Sequence, residues 1–583
     1  MEIKYLNNIK GPDDVKKLGK GELKVLADEM RYALIKKLAV HGGHIGPNLG
    51  FVEATVALHY VFSSPYDKMV FDVSHQTYCH KMLTGRAYAF LDESRYDEVS
   101  GYSNPKESVH DLFAIGHTST SVSLALGLAK ARNLAGGKEN VIAVIGDGSL
   151  SGGEALEGLD YAGEQTGNFI IVVNDNEMSI AENHGGMYKN LALLRETKGK
   201  AQNNLFKAMG LDYVYVDEGN DVEKLIEAFE SVKNTDHAVV VHIHTKKGKG
   251  LAFAEKDPET YHSGGPFDPV TGKYLFAGGE SYNDIMRDYL LDKMKKDSTV
   301  VAINAATPVI VGFTKDKREI AGKQFVDVGI AEETAAAMAS GVATYGGKPV
   351  WAVFSSFVQR CYDQISQDIC INESPVTILV FAASVKAFKD VTHLGIFDIP
   401  MLKNIPNLVY LAPTNAEELL AMTEWSIEQR KHPVAIRVPS VVEHAKGEVK
   451  KDYSKINKYS VVEEGEKLAI IAEGGMYSLG EELAAYIEET KGFKPTLVNP
   501  VFLTGLDKEL LEKLKENHTQ VVTIEDGVLS GGFGETIASY YGASGMRVYN
   551  YGLKKQFIDR YNVDEVLKEN RLTVEQIAED IAN

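Results

Sequence analysis

Two short apolar runs separated by a helical stretch constrain the fold of this chain more than any other feature. Residues 141–145 and 169–173 are continuous and rich in β-branched side chains, a pattern typical of buried parallel strands. Between them, residues 151–165 carry apolar side chains at helical spacing, and Ser151 is the predicted N-cap. The pattern predicts a strand–helix–strand unit with a right-handed crossover, and hence an α/β fold.

Each of these predicted strands ends in a short polar tripeptide. Gly146-Asp147-Gly148 follows the first and Asn174-Asp175-Asn176 follows the second. Ligands of open α/β sheets bind at the carboxyl ends of the strands, so Asp147 and Asn176 are expected at one edge. One carboxylate and one amide oxygen suit Mg²⁺, which usually keeps phosphate oxygens in its shell. The sequence predicts a site for a metal-bound diphosphate, although either tripeptide alone is also a common turn.

Gly148 adds to this prediction, because a residue without a side chain lets a phosphate approach the N–H groups at the start of a helix.

Composition narrows the class of protein. At 583 residues, two to four domains are expected, and a net charge of −19 argues against nucleic acid or an acidic membrane as partner. The three cysteines, Cys79, Cys361 and Cys370, have neither metal-ligand spacing nor a disulfide pattern. Residues 1–10 contain no apolar signal segment, and no window is apolar enough to span a membrane. We therefore expect a soluble, cytoplasmic protein that acts on small molecules.

The chain divides into three predicted α/β domains, at residues 1–270, 278–445 and 459–583. The stretch 262–279 is polar and glycine-containing, which predicts a linker, and 443–458 is charged and poor in apolar residues. Further strands are predicted in the three domains, at 238–244, 299–303, 350–354, 376–381, 408–411, 468–471, 495–498 and 521–524. Helices are predicted at 281–294 and 478–489.

Several ordered motifs give the chain a family resemblance along nearly its whole length. They include Gly42-Gly43-His44, Asp72-Val73-Ser74-His75-Gln76, Leu83-Thr84-Gly85-Arg86, Gly116-His117-Thr118-Ser119, Asn174-Asp175-Asn176-Glu177-Met178-Ser179-Ile180, Asp327-Val328-Gly329-Ile330-Ala331-Glu332 and Phe357-Val358-Gln359-Arg360. With these motifs the sequence resembles the 1-deoxy-D-xylulose-5-phosphate synthases, a branch of the transketolase superfamily that uses thiamine diphosphate.

The resemblance implies a fold and a set of binding residues. The fold has a diphosphate-binding domain and a pyrimidine-binding domain with parallel sheets, plus a smaller C-terminal transketolase-type domain, assembled as a homodimer. Mg²⁺ is expected on Asp147, Asn176 and the carbonyl of Met178. The residues implied for thiamine diphosphate are His75, Gly116, His117, Thr118, Gly148, Ser149, Asn176, Glu332 and Phe357.

The resemblance also implies catalytic roles. A protonated Glu332 would donate to a ring nitrogen of the cofactor, which then attacks the carbonyl of a keto acid. His44, His75 and His393 match family active-site positions and suit proton transfer near neutral pH. Glu332 has a second interpretation, as a carboxylate that only stabilises a helix N-terminus. The pattern gives His117 and His262 weaker support, and a solvated loop is the preferred interpretation for Lys246, Lys247 and Lys249.

Departures from the family pattern cluster where the acceptor substrate is expected. The pattern has two arginines for a sugar phosphate at positions that here are Ala382 and Ser440, and an acidic residue where this chain has Lys389. Losing one such contact costs about 1.5–3 kcal/mol. Arg360, Lys386 and Lys389 are the predicted substrate-binding residues. Phe354 and Leu251 replace expected tyrosines, and the segment after Met178 is shorter than usual.

Three functions follow from these observations. The first is a transferase that condenses pyruvate with glyceraldehyde 3-phosphate and releases CO2, with a place in isoprenoid and thiamine biosynthesis. The second is a transketolase-like enzyme that transfers a ketol unit from a ketose donor to an aldehyde acceptor. The third is a non-catalytic relative that binds the cofactor. Retention of Asp147, Asn176 and Glu332 together argues against the third.

Overall fold

The computed structural model describes residues 1–276 and 278–581. The chain forms two compact units. The first comprises Met1–Gly278 with Gly329–Ala331, and the second comprises Gly279–Val328 and the described chain from Glu332 onward.

The first unit is built on a parallel five-stranded sheet. Its strands lie in the order β2, β3, β4, β6, β5 and all neighbours pair in parallel. A small antiparallel ribbon joins β1 to β7. The strands are β1 Gly43–His44, β2 Lys68–Phe71, β3 Val141–Gly146, β4 Phe169–Asp175, β5 Asp212–Val216, β6 Ala238–His244 and β7 Ser263–Gly264.

Helices cover this sheet and complete the first unit. They are α1 Pro12–Val15, α2 Lys20–His41, α3 Gly46–Gly50, α4 Val52–Val61, α5 Tyr78–Lys81, α6 Tyr88–Leu91, α7 Ser121–Ala135, α8 Gly153–Ala162, α9 Gly186–Glu196, α10 Leu205–Ala208, α11 Val222–Val232 and α12 Ala252–Lys256. Every residue of β4 is buried, as expected for a central strand with helices on both faces.

The second unit contains two sheets. A six-stranded parallel sheet has the order β12, β13, β11, β10, β8, β9, and a five-stranded sheet has the order β14, β16, β15, β17, β18 with only the β14 edge antiparallel. The strands are β8 Val300–Asn304, β9 Phe325–Asp327, β10 Lys348–Phe354, β11 Thr377–Phe381, β12 Val409–Leu411, β13 Val434–Arg437, β14 Ser460–Glu463, β15 Lys467–Ala472, β16 Thr496–Asn499, β17 His518–Val528 and β18 Arg547–Leu553.

The helices of the second unit follow the same alternation with strands. They are α13 Tyr282–Lys296, α14 Lys315–Ala321, α15 Glu332–Thr344, α16 Ser355–Val358, α17 Tyr362–Gln364, α18 Asp398–Leu402, α19 Ala416–Glu428, α20 Tyr477–Lys491, α21 Lys508–Asn517, α22 Phe533–Tyr541, α23 Val563–Glu569 and α24 Val574–Ile581. The predicted α/β class with parallel sheets is confirmed. No helix in the described part of the chain is long and apolar enough to cross a membrane.

Two local predictions were wrong. Ser151 does not cap a helix, because its hydroxyl donates to the carbonyl of Gly148 at 2.9 Å within a 3₁₀ turn, and α8 begins two residues later with Gly152 as N-cap. The stretch from 262 is not a simple linker. Ser263–Gly264 pairs with Gly43–His44, and Phe267 is buried in the first unit. A pairing across more than 200 residues leaves no local sequence signal.

Candidate active site

The ends of β3 and β4 bring Asp147 and Asn176 together. The two strands pair in parallel with Gly146 opposite Asn174, so the residues that follow share one edge of the sheet. Asp147 Oδ1 accepts the main-chain N–H of Asn176 at 3.4 Å, and its Oδ2 accepts from Asn183 Nδ2 at 2.7 Å. The topology therefore produces the juxtaposition that the sequence pattern indicated.

The oxygens at this edge suit a hard cation. Burial raises the pKa of the Asp147 carboxyl, and the neighbouring Asp175 carboxylate raises it further. Asn176 Oδ1 is buried and accepts no hydrogen bond from any described residue. No group of three or more His, Cys, Asp and Glu side chains within 1–276 and 278–581 forms a metal cluster. A cation here would be held by one carboxylate together with amide and main-chain oxygens, which is a donor set that Mg²⁺ accepts.

A buried carboxylate, Asp72, organises the predicted diphosphate loops. It accepts the main-chain N–H groups of Ser119 at 2.8 Å and Ser121 at 3.0 Å. These residues follow Gly116, His117 and Thr118 and lead into α7. The Ser119 hydroxyl donates to the carbonyl of Ser149 at 2.9 Å, which joins this loop to the one that carries Gly148. Burial raises the pKa of Asp72, while the two N–H groups oppose that shift.

Gly148 sits where a side chain does not fit. A Cβ atom at this position would lie 2.4 Å from the hydroxyl of Ser179 and 3.1 Å from its Cα. The absence of a side chain keeps the turn after β3 close to the segment that follows Asn176.

Three histidines gather in the first unit. The His44 and His75 rings lie 5.1 Å apart, and His262 lies 5.4 Å from His75 in a stacked arrangement. Burial holds the pKa of His262 well below its usual range, so its ring is neutral at neutral pH. The β1–β7 pairing delivers His262 to the cluster, since Ser263 lies opposite His44. The sequence gave only weak support for a functional role of His262, because the stretch around it was predicted to be a linker.

Lys247 is also part of this site, which corrects its prediction as a solvated loop residue. It is 5% exposed, and its Nζ donates to the carbonyl of Ser179 at 2.5 Å. Burial lowers its pKa to about 7, against the opposing effect of Asp147. Lys246 does follow the prediction, because its side chain is largely exposed and pairs with Glu255.

In the second unit, Glu332 opens α15 and is buried. Its Oε2 makes no hydrogen bond with a described residue and lies 3.5 Å from Arg360 Nη1. Burial raises the pKa of Glu332, and Arg360 opposes the shift only in part. Phe357 lies near His393, with ring centroids 5.6 Å apart, and Phe354 packs edge-on against Phe357 at 5.5 Å.

The predicted substrate residues lie around the strand ends of the six-stranded sheet. His393 Nδ1 contacts the Thr392 hydroxyl at 2.9 Å and lies 3.6 Å from Asp390 Oδ1. Lys389 is exposed. Lys386 lines a cavity of ≈ 10 Å³ together with Ser384 and Ser440, which is room for about one water molecule.

Arg437 is not available to a substrate. It is 2% exposed and is held by three carboxylates. Its guanidinium reaches Asp398 at 2.8 Å, Asp526 at 2.5 Å and Glu473 at 3.3 Å. Lys386, Lys389 and Arg360, in contrast, retain some solvent access.

Comparison with known proteins identifies the family. The sequence model of the 1-deoxy-D-xylulose-5-phosphate synthase family matches residues 6–203 and 193–245 of this chain. The transketolase pyrimidine-binding domain matches 280–441, and the transketolase C-terminal domain matches 457–577. A 1-deoxy-D-xylulose-5-phosphate synthase of Caldanaerobacter subterraneus subsp. tengcongensis is 39% identical over 616 residues, covering 99% of this chain and 98% of the relative. The chain belongs to the 1-deoxy-D-xylulose-5-phosphate synthase family.

A second synthase, from Clostridium tetani, is 36% identical and is covered to 99% in both chains. Among solved structures, a transketolase from Campylobacter jejuni is 18% identical, with a TM-score of 0.43, and the match covers 97% of this chain and 100% of the transketolase chain. The predicted family is confirmed, and with it the class of thiamine-diphosphate-dependent transferases. Full-length similarity to synthases disfavours the transketolase-like alternative.

Proposed function

We propose that the protein condenses pyruvate with glyceraldehyde 3-phosphate and releases CO2, as a thiamine-diphosphate- and Mg²⁺-dependent carboligase. The observation that supports this most is the similarity to synthases of that name over 99% of the chain. The sugar phosphate formed in this reaction would serve isoprenoid and thiamine biosynthesis.

The first unit would hold the metal and the diphosphate. Asp147, Asn176 and the carbonyl of Met178 supply three oxygens to Mg²⁺, and the unpartnered Asn176 Oδ1 supports this assignment. The loops that contain Gly116, His117, Thr118, Gly148 and Ser149 line the diphosphate. Lys247, buried beside Asp147, adds a cation on the side of Ser179.

The second unit would hold the pyrimidine. When bound, the cofactor supplies a carbanion that adds to the keto-acid carbonyl and stabilises the charge left by CO2. Glu332 holds a proton on its carboxyl at neutral pH more readily than an exposed glutamate, because burial disfavours its charged form. It would therefore donate that proton to a ring nitrogen, and Phe357 would offer the ring an aromatic surface.

The histidines would move protons at the substrate oxygens. His44 and His75 lie in one cluster with His262, and imidazole is a side chain that can exchange a proton with an alkoxide. In the second unit, Asp390 and Thr392 orient the His393 ring. Arg360, Lys386 and Lys389 would bind the carboxylate and phosphate of the substrates, in place of the arginines expected at Ala382 and Ser440.

We further propose a cytoplasmic homodimer. One surface of α15 supports a second copy as the partner. Met338 is 41% exposed and Tyr345 is 98% exposed beside Ala337, Gly341 and Val342, and together they line an open apolar groove of ≈ 700 Å³. Light scattering of the wild type and of Tyr345→Glu tests the proposed dimer. We expect a dimeric wild type and a monomeric variant; a monomeric wild type would contradict the proposal.

The activity is tested with purified protein, thiamine diphosphate and Mg²⁺. Pyruvate with glyceraldehyde 3-phosphate should yield CO2 and one new sugar phosphate in equal amounts, measured by gas release and mass spectrometry. Consumption of a ketose donor without CO2 would support ketol transfer instead. Absence of turnover with every donor, combined with intact cofactor binding, would identify a non-catalytic relative.

A further inference from the structure

Asp175, the residue immediately before the proposed ligand Asn176, is the centre of a buried polar network. Its side chain has no exposed surface, yet its carboxylate accepts three donors. Oδ2 accepts from Arg195 Nη1 at 2.6 Å and lies 2.9 Å from His242 Nε2. Oδ1 accepts the main-chain N–H of Glu177 at 3.1 Å. Because both oxygens are engaged, Asp175 is poorly placed to serve as a metal ligand itself.

The same network reaches the turn that carries the proposed ligands. Arg195 bridges Asp175 and Glu177, with its Nη2 at 3.2 Å from Glu177 Oε2. His244 Nε2 lies 3.1 Å from the other oxygen of Glu177. Glu177 has a φ of +68°, in the left-handed region that costs a residue with a side chain some free energy. The contacts to both sides of this residue hold the turn in that conformation.

His242 on strand β6 connects the network to Tyr213 on the neighbouring strand β5. The Tyr213 hydroxyl and His242 Nδ1 are 2.8 Å apart, and His242 Nε2 lies 2.9 Å from Asp175 Oδ2, so both ring nitrogens of His242 are held. The main-chain N–H of Thr245 donates to the carbonyl of Asp175 at 2.9 Å, and its hydroxyl donates to Asn174 Oδ1 at 2.6 Å. Asp175 is therefore fixed through its side chain and its main chain at once.

The position of this network indicates a role beyond core stability. Burying a carboxylate beside a partly buried guanidinium carries a desolvation cost, and an apolar core of the same volume is often at least as stable. The charged groups are nevertheless placed at the carboxyl ends of β4 and β6, one residue from the proposed metal site. Groups that hydrogen-bond behind metal ligands commonly fix the ligand geometry.

We infer that Asp175, Arg195 and His242 form a brace that positions Asn176 Oδ1 and the Met178 carbonyl for the metal ion. Asp175 is thus a positioning residue and not a ligand. The inference rests on the proposed metal and cofactor site and assigns that site its supporting residues.

If the brace positions the metal ligands, the Asp175→Asn variant should lose metal affinity. The variant keeps the shape of the side chain, but its NH2 group must face a donor, either Arg195 and His242 at the Oδ2 position or the main-chain N–H of Glu177 at the Oδ1 position. We expect metal affinity to fall about 10- to 100-fold, the range seen when groups behind metal ligands are changed. Arg195→Lys keeps the positive charge but loses the planar fork that joins Asp175 to Glu177, so a smaller loss is expected.

Manganese serves as the probe. Free Mn²⁺ is measured by electron paramagnetic resonance while protein stripped of metal is titrated at saturating thiamine diphosphate. Asp212→Asn is the matched control, because Asp212 lies at the amino end of β5 and is paired with His237, away from the brace. The control should bind Mn²⁺ like the wild type. Turnover of Asp175→Asn should recover towards the wild-type rate at high metal concentration, which a general folding defect would not allow.

Each outcome decides between the proposals. If the wild type binds neither Mn²⁺ nor thiamine diphosphate, the proposed metal site fails. If the wild type binds Mn²⁺ and folded Asp175→Asn binds it within about twofold of the same affinity, the brace is refuted while the metal site stands. Should Asp175→Asn not fold, Arg195→Lys and Tyr213→Phe supply the same comparison, and unchanged affinity in both refutes the brace.

Discussion

Replacing Glu332 with glutamine should separate its two interpretations by the sign of a stability change. A catalytic acid kept protonated by burial has a folded-state pKa above its unfolded value of about 4.3. The wild type then loses stability as pH rises from about 4.3 to the folded pKa, at about 1.4 kcal/mol per pH unit. Glutamine never ionises. We therefore expect Glu332→Gln to match the wild type near pH 4 and to exceed its stability at neutral pH.

A carboxylate that only stabilises the helix N-terminus predicts the opposite sign. The charged form would then be favourable, and its loss would destabilise the protein by about 0.3–1 kcal/mol at neutral pH. The ion pair with Arg360 adds to that side, but at 3.5 Å it only partly offsets the effect of burial on the pKa. Glu333→Gln is the matched control, because it removes the neighbouring carboxylate in the same first turn.

Calorimetry of cofactor-free protein between about pH 4.5 and about pH 8 measures the stability, and CO2 release measures turnover. Glu332→Gln should lose about 10²- to 10⁴-fold in turnover, the range for removal of a general acid or base, while Glu333→Gln keeps its rate. A variant that is less stable than the wild type at neutral pH, or that turns over within about threefold of it, would refute the role assigned to Glu332.

Three further predictions concern buried groups. Asp72→Asn should weaken thiamine diphosphate binding and cost about 1–3 kcal/mol in unfolding experiments, because the amide cannot accept from both Ser119 and Ser121. Gly148→Ala should reduce cofactor affinity, measured by calorimetric titration, because of the 2.4 Å approach to the Ser179 hydroxyl, and Ser179→Ala in the same chain should restore part of it. Arg437→Met should destabilise the second unit by about 3–5 kcal/mol, since three buried carboxylates lose their partner. That deficit should shrink as pH falls and the carboxylates take up protons; a deficit independent of pH would contradict it.

The strands that flank the metal site were predictable because they are buried on both faces. Such strands read as continuous apolar runs, and β3 and β4 extend the predicted 141–145 and 169–173 by only one and two residues. Their parallel pairing then places Asp147 beside Asn176 without further information. The start of α8 was not predictable in the same way, because the Ser151 hydroxyl donates to the carbonyl of Gly148 and does not cap the helix.

Residues recruited through distant contacts left no pattern in the sequence. His262 enters the histidine cluster through a strand pairing with residues 43 and 44. Lys247 was read as a solvated loop residue because glycine and lysine surround it, yet the fold buries it against Ser179. Arg195 and His242 were not selected at all, because their role depends on meeting Asp175 from another helix and another strand. The local spacing of apolar residues along the chain does not indicate such contacts.

Two of the buried aspartates of the first unit, Asp72 and Asp175, differ in a way that fits the charges proposed beside them. Asp72 accepts the main-chain N–H groups of Ser119 and Ser121 in the proposed diphosphate loop, and burial raises its pKa, which favours the neutral form near an anion. Asp175 is buried too, but His242 and Arg195 outweigh that effect and hold its pKa below the usual range. A charged Asp175 next to a cation site adds attraction, whereas a charged Asp72 behind a diphosphate would add repulsion. Asp175 is therefore the better support for a cation, and Asp72 the better support for an anion.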